Sequence, residues 1–84
     1  MPYINQEERH QLAVELPPNL STGQMNFIVS DLFDQWIGMV PNYDRLNSAI
    51  GVLECCLQEI YRRLVVPYED KQITKSGDVF MERE

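Results

Sequence analysis

The chain has 84 residues, 44% of them hydrophobic, and its 13 acidic and 7 basic residues give a net charge of −6. This length predicts one small domain, residues 1–84, whose own core buries only roughly 60–65% of the surface of the unfolded chain, so that association of identical chains is expected. The negative charge argues against nucleic acid or an anionic membrane as a partner, because both attract cationic surfaces.

The first predicted element is a short helix within residues 4–16, INQEERHQLAVEL. Asn5 is its expected N-cap, and Glu8 lies three residues further on, as in a capping box. Pro17 and Pro18 end the helix, because neither can continue the hydrogen-bond ladder.

A second helix is predicted to begin after Ser21, with Gln24 completing another capping box. Its apolar residues recur at the spacing of a one-sided helical face: Met25, Ile28, Val29, Leu32, Phe33, Trp36 and Ile37. Gly38 and Pro41 are expected to end this helix.

The longest predicted helix runs from a cap at Asn42 or Asp44 to about Val66, and we expect it to form an antiparallel helical hairpin with the second helix. Its apolar positions alternate steps of four and three residues: Leu46, Ile50, Leu53, Leu57, Ile60 and Leu64. Neighbouring apolar residues make this face too wide for one partner helix. Contact with the first helix or with another subunit is therefore expected as well.

The pattern changes after Pro67, where the sequence predicts a C-terminal arm over residues 67–84 beside a helical part over residues 1–66. Two short β-prone pieces, 72–74 and 79–80, flank Ser76, Gly77 and Asp78, which predicts a β-hairpin or an extended arm with a glycine turn. Since an isolated hairpin is barely stable in water, it should pack on the helices or on a neighbouring chain. The predicted fold class is mainly α.

Two polar rows follow the third helix at four-residue spacing: Glu54, Gln58 and Arg62, and beside them Cys55, Glu59 and Arg63. A glutamate four residues before an arginine favours a surface ion pair worth about 0.2–0.5 kcal/mol. One interpretation is therefore a solvated face with ion pairs. A second is a binding surface on which Arg62 or Arg63 holds a carboxylate or phosphate, oriented by Glu54 or Glu59. A third, ranked last, is catalysis by the carboxylates of Glu54 or Glu59.

A second candidate segment is PYEDK, in which Tyr68, Glu69, Asp70 and Lys71 follow Pro67. These residues either anchor a turn through hydrogen bonds or form a recognition edge between the helix and the arm.

Signals for catalysis, cofactors, metals and export are absent from the sequence. It has no glycine-rich phosphate loop, Ser/His/Asp set or CxxC pair, and the adjacent Cys55 and Cys56 have no nearby histidine. The distant His10 does not complete a zinc site with them. The N-terminus lacks the features of a signal peptide, and no apolar run approaches the roughly 20 residues that span a bilayer. We expect a non-enzymatic cytoplasmic protein with reduced thiols, no cofactor and no metal.

The segments MPYI, GQMNFIVSDL, AIGVLECCLQEIYRRLVVPYEDKQI and SGDVF together resemble a family of short proteins of unknown function from bacteriophages and bacterial genomes. That family has a GVLEC…E.YRR…PYED.K core followed by an NGDVY-like end. The resemblance implies a phage or prophage origin and emphasises these positions: Gly51, Glu54, Glu59, Tyr61, Arg62, Arg63, Pro67, Tyr68, Glu69, Asp70, Lys71, Gly77 and Asp78. Ser76 and Phe80 depart from the asparagine and tyrosine that are usual in the family, which weakens a role for the hairpin tip.

These observations favour a phage-type accessory protein in the host cytoplasm that binds and modulates a host protein, acting as a homo-oligomer. The alternative is an oligomeric binding protein that captures a small anionic metabolite or nucleotide and so sequesters a signal. In both cases the expected binding residues are Glu54, Glu59, Arg62, Arg63, Tyr68, Glu69, Asp70 and Lys71.

Overall fold

The computed structural model describes residues 3–83, and this part of the chain is mainly helical and contains no strand. Met1, Pro2 and Glu84 lie outside the described residues, and with them the first two letters of the MPYI segment. The chain divides into two compact units, Met1–Leu46 and Asn47–Glu84. The prediction of a single domain and that of a packed helical hairpin stay predictions.

Helix α1, Gln6–Leu12, is shorter than the sequence predicts. Its N-cap is confirmed, because the Glu8 amide donates to Asn5 Oδ1 at 2.9 Å. The helix ends at Leu12, and Ala13 is already extended, with φ −59° and ψ 136°. The β-branched Val14 and the restriction that Pro17 places on the residue before it both favour extended backbone between the helix and the prolines.

Helix α2, Thr22–Ile37, has the predicted bounds. The Gln24 amide donates to Ser21 Oγ at 3.1 Å and the Ser21 amide donates to Gln24 Oε1 at 2.9 Å, which confirms the capping box. At the other end Gly38 adopts a φ of +87° and its amide donates to Asp34 O at 3.1 Å. Only glycine adopts this conformation without strain, so the helix ends here.

Arg45 ties the start of the next helix to the end of α2. Its Nη1 donates to Trp36 O at 2.9 Å, and its Cζ lies 4.8 Å from the centroid of the indole ring. The Arg45 amide in turn donates to Asn42 Oδ1 at 2.8 Å, which identifies Asn42, of the two candidates, as the cap. One side chain therefore closes the loop after α2 by a charge-assisted hydrogen bond and a cation–π contact.

Residues 43–76 form one uninterrupted run of helix, and the predicted β-hairpin is wrong. Helix α3, Tyr43–Ile60, continues through a π-helical turn, Tyr61–Val65, into helix α4, Val66–Ser76. Residues 72–74, predicted as β-prone, are helical, and residues 79–80 lie beyond the helix. Thr74 is β-branched but lies inside α4, and its hydroxyl donates a hydrogen bond to Asp70 O at 3.1 Å within the same helix.

The reason for the error lies at Pro67. In a regular α-helix the proline ring would clash with the carbonyl of Arg63, four residues earlier. In the π turn the Val66 amide instead donates to Tyr61 O, five residues earlier. This wider turn makes room for the ring, so the helix continues instead of breaking. It ends at Gly77, whose φ is +87°, and the Phe80 amide then donates to Asp78 Oδ1 at 3.0 Å in a local turn.

We predict that Arg45→Met lowers the free energy of unfolding by about 1–2 kcal/mol, because it removes the cation–π contact and the charged hydrogen bond while helix propensity stays the same. Urea unfolding followed by the fluorescence of Trp36, the single tryptophan, measures this loss. Arg83→Met, outside the helices, is the matched control. Equal stability of the two variants would contradict the role of Arg45.

We also predict that Pro67→Ala restores a regular α-helix, because the substitution removes the ring and returns an amide donor. The Val66 amide should then donate to Arg62 O instead of Tyr61 O. Scalar couplings across hydrogen bonds, measured by NMR, identify the acceptor directly. Pro41→Ala, in the loop before α3, is the control and should leave the π turn unchanged. A π turn that persists in Pro67→Ala would show that proline does not cause it.

Candidate binding surface

Three charged side chains, Glu59, Arg62 and Arg63, meet at the junction of α3 and the π turn, and we call them the charged cluster. Arg62 Nη2 donates to Glu59 Oε1 at 3.1 Å, and Arg63 Nη1 lies 3.8 Å from Glu59 Oε2. Helical spacing explains the arrangement, since residues three and four positions after Glu59 lie on its side of the helix. The expected pairing of Glu59 with Arg63 is present, but Arg62 also pairs with Glu59, three residues before it.

The two kinds of charge in the cluster differ in their access to water. The Arg62 and Arg63 side chains are 72% and 64% exposed, whereas Glu59 is 24% exposed and its Oε2 is shielded from solvent. One carboxylate cannot neutralise two guanidinium groups, so the cluster has a local charge of +1 on a chain whose net charge is −6. Each guanidinium has five N–H donors, and most of them remain accessible to an external carboxylate or phosphate.

A shallow open cleft of about 260 Å³ lies beside the cluster and is lined by Glu59, Ile60, Arg63 and Leu64. Sites that enclose a small ligand are typically about 300–1,000 Å³ and bury most of the ligand. This cleft is smaller and open, so within one chain it fits a protruding side chain better than a whole metabolite. Ile60 and Leu64 are not among the binding residues predicted from the sequence. The signal that could have found them is helical spacing, since Ile60 lies three residues before Arg63 and Leu64 lies four after Ile60.

The remaining predicted binding residues lie on the same run of helix but outside the cluster. Glu54 is exposed on α3, and the arginine at the end of its row, Arg62, pairs with Glu59 instead. Tyr68, Glu69, Asp70 and Lys71 are exposed on the first turns of α4. They do not form a turn between a helix and an arm, so the interpretation as a turn anchor is wrong, and a recognition edge at these residues would lie on α4 and not beside a hairpin. Their role in binding stays a prediction.

An exposed row of apolar side chains follows α3 into the π turn, and we call it the apolar stripe. Its members are Ile50 (64% exposed), Leu53 (39%), Leu57 (65%), Ile60 (54%) and Leu64 (66%). Tyr61 and Tyr68 flank it at 55% and 63%. None of these side chains is buried in the single chain. The stripe and the cleft share Ile60 and Leu64, so the apolar surface and the charged cluster adjoin.

The described residues give no support to a metal site or a membrane span. No group of three or more His, Cys, Asp or Glu side chains within residues 3–83 could hold a metal ion. No helix in that range is long and apolar enough to cross a bilayer. Cys55 is exposed and Cys56 half-buried, and both are free thiols.

The profile of a sequence family described as a domain of unknown function (DUF6899) matches residues 1–79. The match includes the charged cluster, the cleft and the apolar stripe. No curated protein and no solved structure matches the chain. The family match confirms the expectation of a family without an assigned function, whereas the phage origin and the emphasised positions stay predictions.

We predict a larger coupling energy between Glu59 and Arg62 than between Glu59 and Arg63, because the first pair is hydrogen-bonded and closer. Both pairs face solvent on the arginine side, so the couplings should be about 0.5 kcal/mol or less. Double-mutant cycles of Glu59→Gln with Arg62→Gln and with Arg63→Gln, measured by thermal unfolding at low salt, give the two values. In 1 M salt both should fall towards zero, since the Debye length is then about 3 Å. A larger coupling for Arg63 would contradict the geometry.

Proposed function

The chain belongs to the DUF6899 family, a family without an assigned function, and we propose that it is a non-enzymatic accessory protein of phage type that binds and modulates a host protein, acting as a homo-oligomer. The observation that carries this proposal is the exposure of its apolar side chains. Among the described residues only Ala49 is buried, at 4% exposure. Contiguous exposed apolar surface is typical of protein–protein interaction sites.

The size of the hydrophobic term supports association. Complete burial of one leucine or isoleucine side chain contributes about 1.5–3 kcal/mol, so burying the exposed part of the five stripe residues would contribute roughly 4–9 kcal/mol per chain. For two such surfaces the sum is roughly 8–17 kcal/mol, and the loss of translational and rotational freedom on association costs about 4–15 kcal/mol. A second apolar surface is therefore needed to make the complex stable.

The charged cluster favours a partner with an acidic side chain. The Arg62 and Arg63 side chains are largely exposed, and Glu59 holds one terminal guanidinium nitrogen of each. Arginine pairs with carboxylates in a bidentate geometry that lysine does not match. A host protein with an acidic side chain next to an apolar one would fit the cluster and the cleft beside it. The phage origin is supported by the motif resemblance alone.

A second candidate function is the capture of a small anionic metabolite or nucleotide. Two exposed guanidinium groups beside an apolar cleft favour it, because such a ligand combines an anionic group with an apolar or aromatic body. The openness of the cleft in one chain disfavours it unless another subunit closes the site. Native mass spectrometry of the freshly purified protein separates the two functions. A small additional mass on each subunit would support this candidate.

We predict that the host protein captured from a bacterial lysate, once identified and purified, binds Arg62→Glu/Arg63→Glu at least tenfold more weakly than the wild type, because the variant replaces attraction by repulsion at the interface. Isothermal titration calorimetry with the purified pair measures the change. Lys75→Glu/Arg83→Glu is the matched control, since it changes the net charge equally away from the cluster. Equal weakening of both variants would contradict a role for the cluster, and the absence of any captured protein would contradict the proposed partner.

A further inference from the structure

We infer that the apolar stripe is the interface between two copies of this chain. The inference rests on the proposed function only in that both require a homo-oligomer, and it adds which surface joins the copies. The three most exposed members, Ile50, Leu57 and Leu64, are spaced by seven residues and are 64–66% exposed. Leu53 and Ile60 lie between them. No charged side chain occupies a stripe position.

The period of the stripe fits a second copy of the same helix. Apolar residues that alternate steps of three and four are typical of helices that pack along one another with matching heptads. Helix α3 of a second copy has the same heptad row, with the same spacing of its apolar side chains. Two copies of the stripe can therefore pack along each other with matching heptads.

The area of the stripe also fits a pair of copies. From the areas that correspond to full burial of aliphatic and aromatic side chains, the exposed parts of the stripe, Tyr61 and Tyr68 amount to roughly 350–650 Å². Since apolar atoms supply about 56–65% of an interface, the complete surface is on the order of 550–1,100 Å² per chain. A stable interface of standard size buries about 800 Å² per partner. The stripe is thus large enough for one such contact.

Symmetry selects the residue that tests the inference. In a pair related by a twofold axis the same stripe is used on both sides, and residues at its centre meet their own counterparts. Leu57 is the middle member, with two stripe residues on either side. A lysine at this position would therefore bring two like charges together inside an apolar contact, where a charge is costly to bury.

The experiment compares the wild type with Leu57→Lys and with Gln58→Lys by sedimentation velocity over a range of concentrations. Gln58 is the exposed neighbour of Leu57 outside the stripe, so its variant introduces the same charge into the same helical turn. We expect a dimer or a larger oligomer for the wild type and for Gln58→Lys. For Leu57→Lys we expect a dissociation constant at least tenfold higher, with the 9.8 kDa monomer predominant at low concentration. A wild type that is monomeric throughout would overturn the inference, as would a Leu57→Lys variant that keeps its mass.

A second measurement applies if circular dichroism shows that Leu57→Lys does not fold. Hydroxyl-radical footprinting of the wild type at increasing concentration should show protection of Leu57 and Tyr61 with little change at Gln58. Unchanged reactivity at Leu57 would overturn the inference.

The inference and the proposed function can fail separately. A monomeric wild type that binds its host protein refutes only the interface, and an oligomer that uses the stripe but binds no host protein refutes only the proposed function. If Leu57→Lys loses the host protein but keeps its mass, the stripe belongs to the host protein instead.

Discussion

The ring of a proline inside a helix needs space that a regular α-helix does not provide. The way in which the chain provides this space at Pro67 determines the helical structure of residues 43–76. The π turn over Tyr61–Val65 moves the Val66 hydrogen bond to an acceptor five residues earlier, and α3 and α4 become one run of helix. Without this adjustment the chain would have to leave the helix near Val66. Tyr68, Glu69, Asp70 and Lys71 would then lie on a turn instead of on successive helical positions. π turns are frequent at functional sites, and here the turn contains both arginines of the charged cluster.

The exposure of the apolar side chains is the second constraint. In most proteins helices derive their stability from packing, because propensity alone barely stabilises a short helix in water. Among the described residues only Ala49 is buried, so the helices gain little free energy from burial within one chain. Local devices compensate in part: caps at Asn5, Ser21 and Asn42, and the contact of Arg45 with Trp36. Each contributes on the order of 1 kcal/mol, less than burial of the stripe would add. A partner surface on the stripe would therefore stabilise the helices more than any one of these local devices does.

The features that were predictable from the sequence are those whose partners lie within one helical turn. The caps at Asn5 and Ser21, the bounds of α2 and the pairing of Glu59 with Arg63 all follow from spacings of three or four residues. The prediction of a C-terminal hairpin was wrong, because β propensity depends on packing against neighbouring strands, and residues 72–74 have no such neighbour. The π turn was not predicted for a different reason. A proline normally signals the end of a helix, and a π turn that accommodates a proline does not change the spacing of the apolar residues in the sequence. The exposure of the stripe could not be predicted either, since the same heptad pattern describes a helix packed inside one chain and a helix packed on another.

The position of the cleft connects the two candidate functions with the interface. Ile60 and Leu64 belong both to the apolar stripe and to the wall of the cleft beside Arg63. A second copy that covers the stripe would therefore also form a new wall for the cleft, which is open in the single chain. If that wall leaves the guanidinium groups accessible, an acidic side chain of a host protein can still reach them from outside. If it encloses them, the low-dielectric surroundings would strengthen their attraction for a small anion and exclude a protein. The packing of two copies at Leu64 thus decides which class of partner the charged cluster can accept.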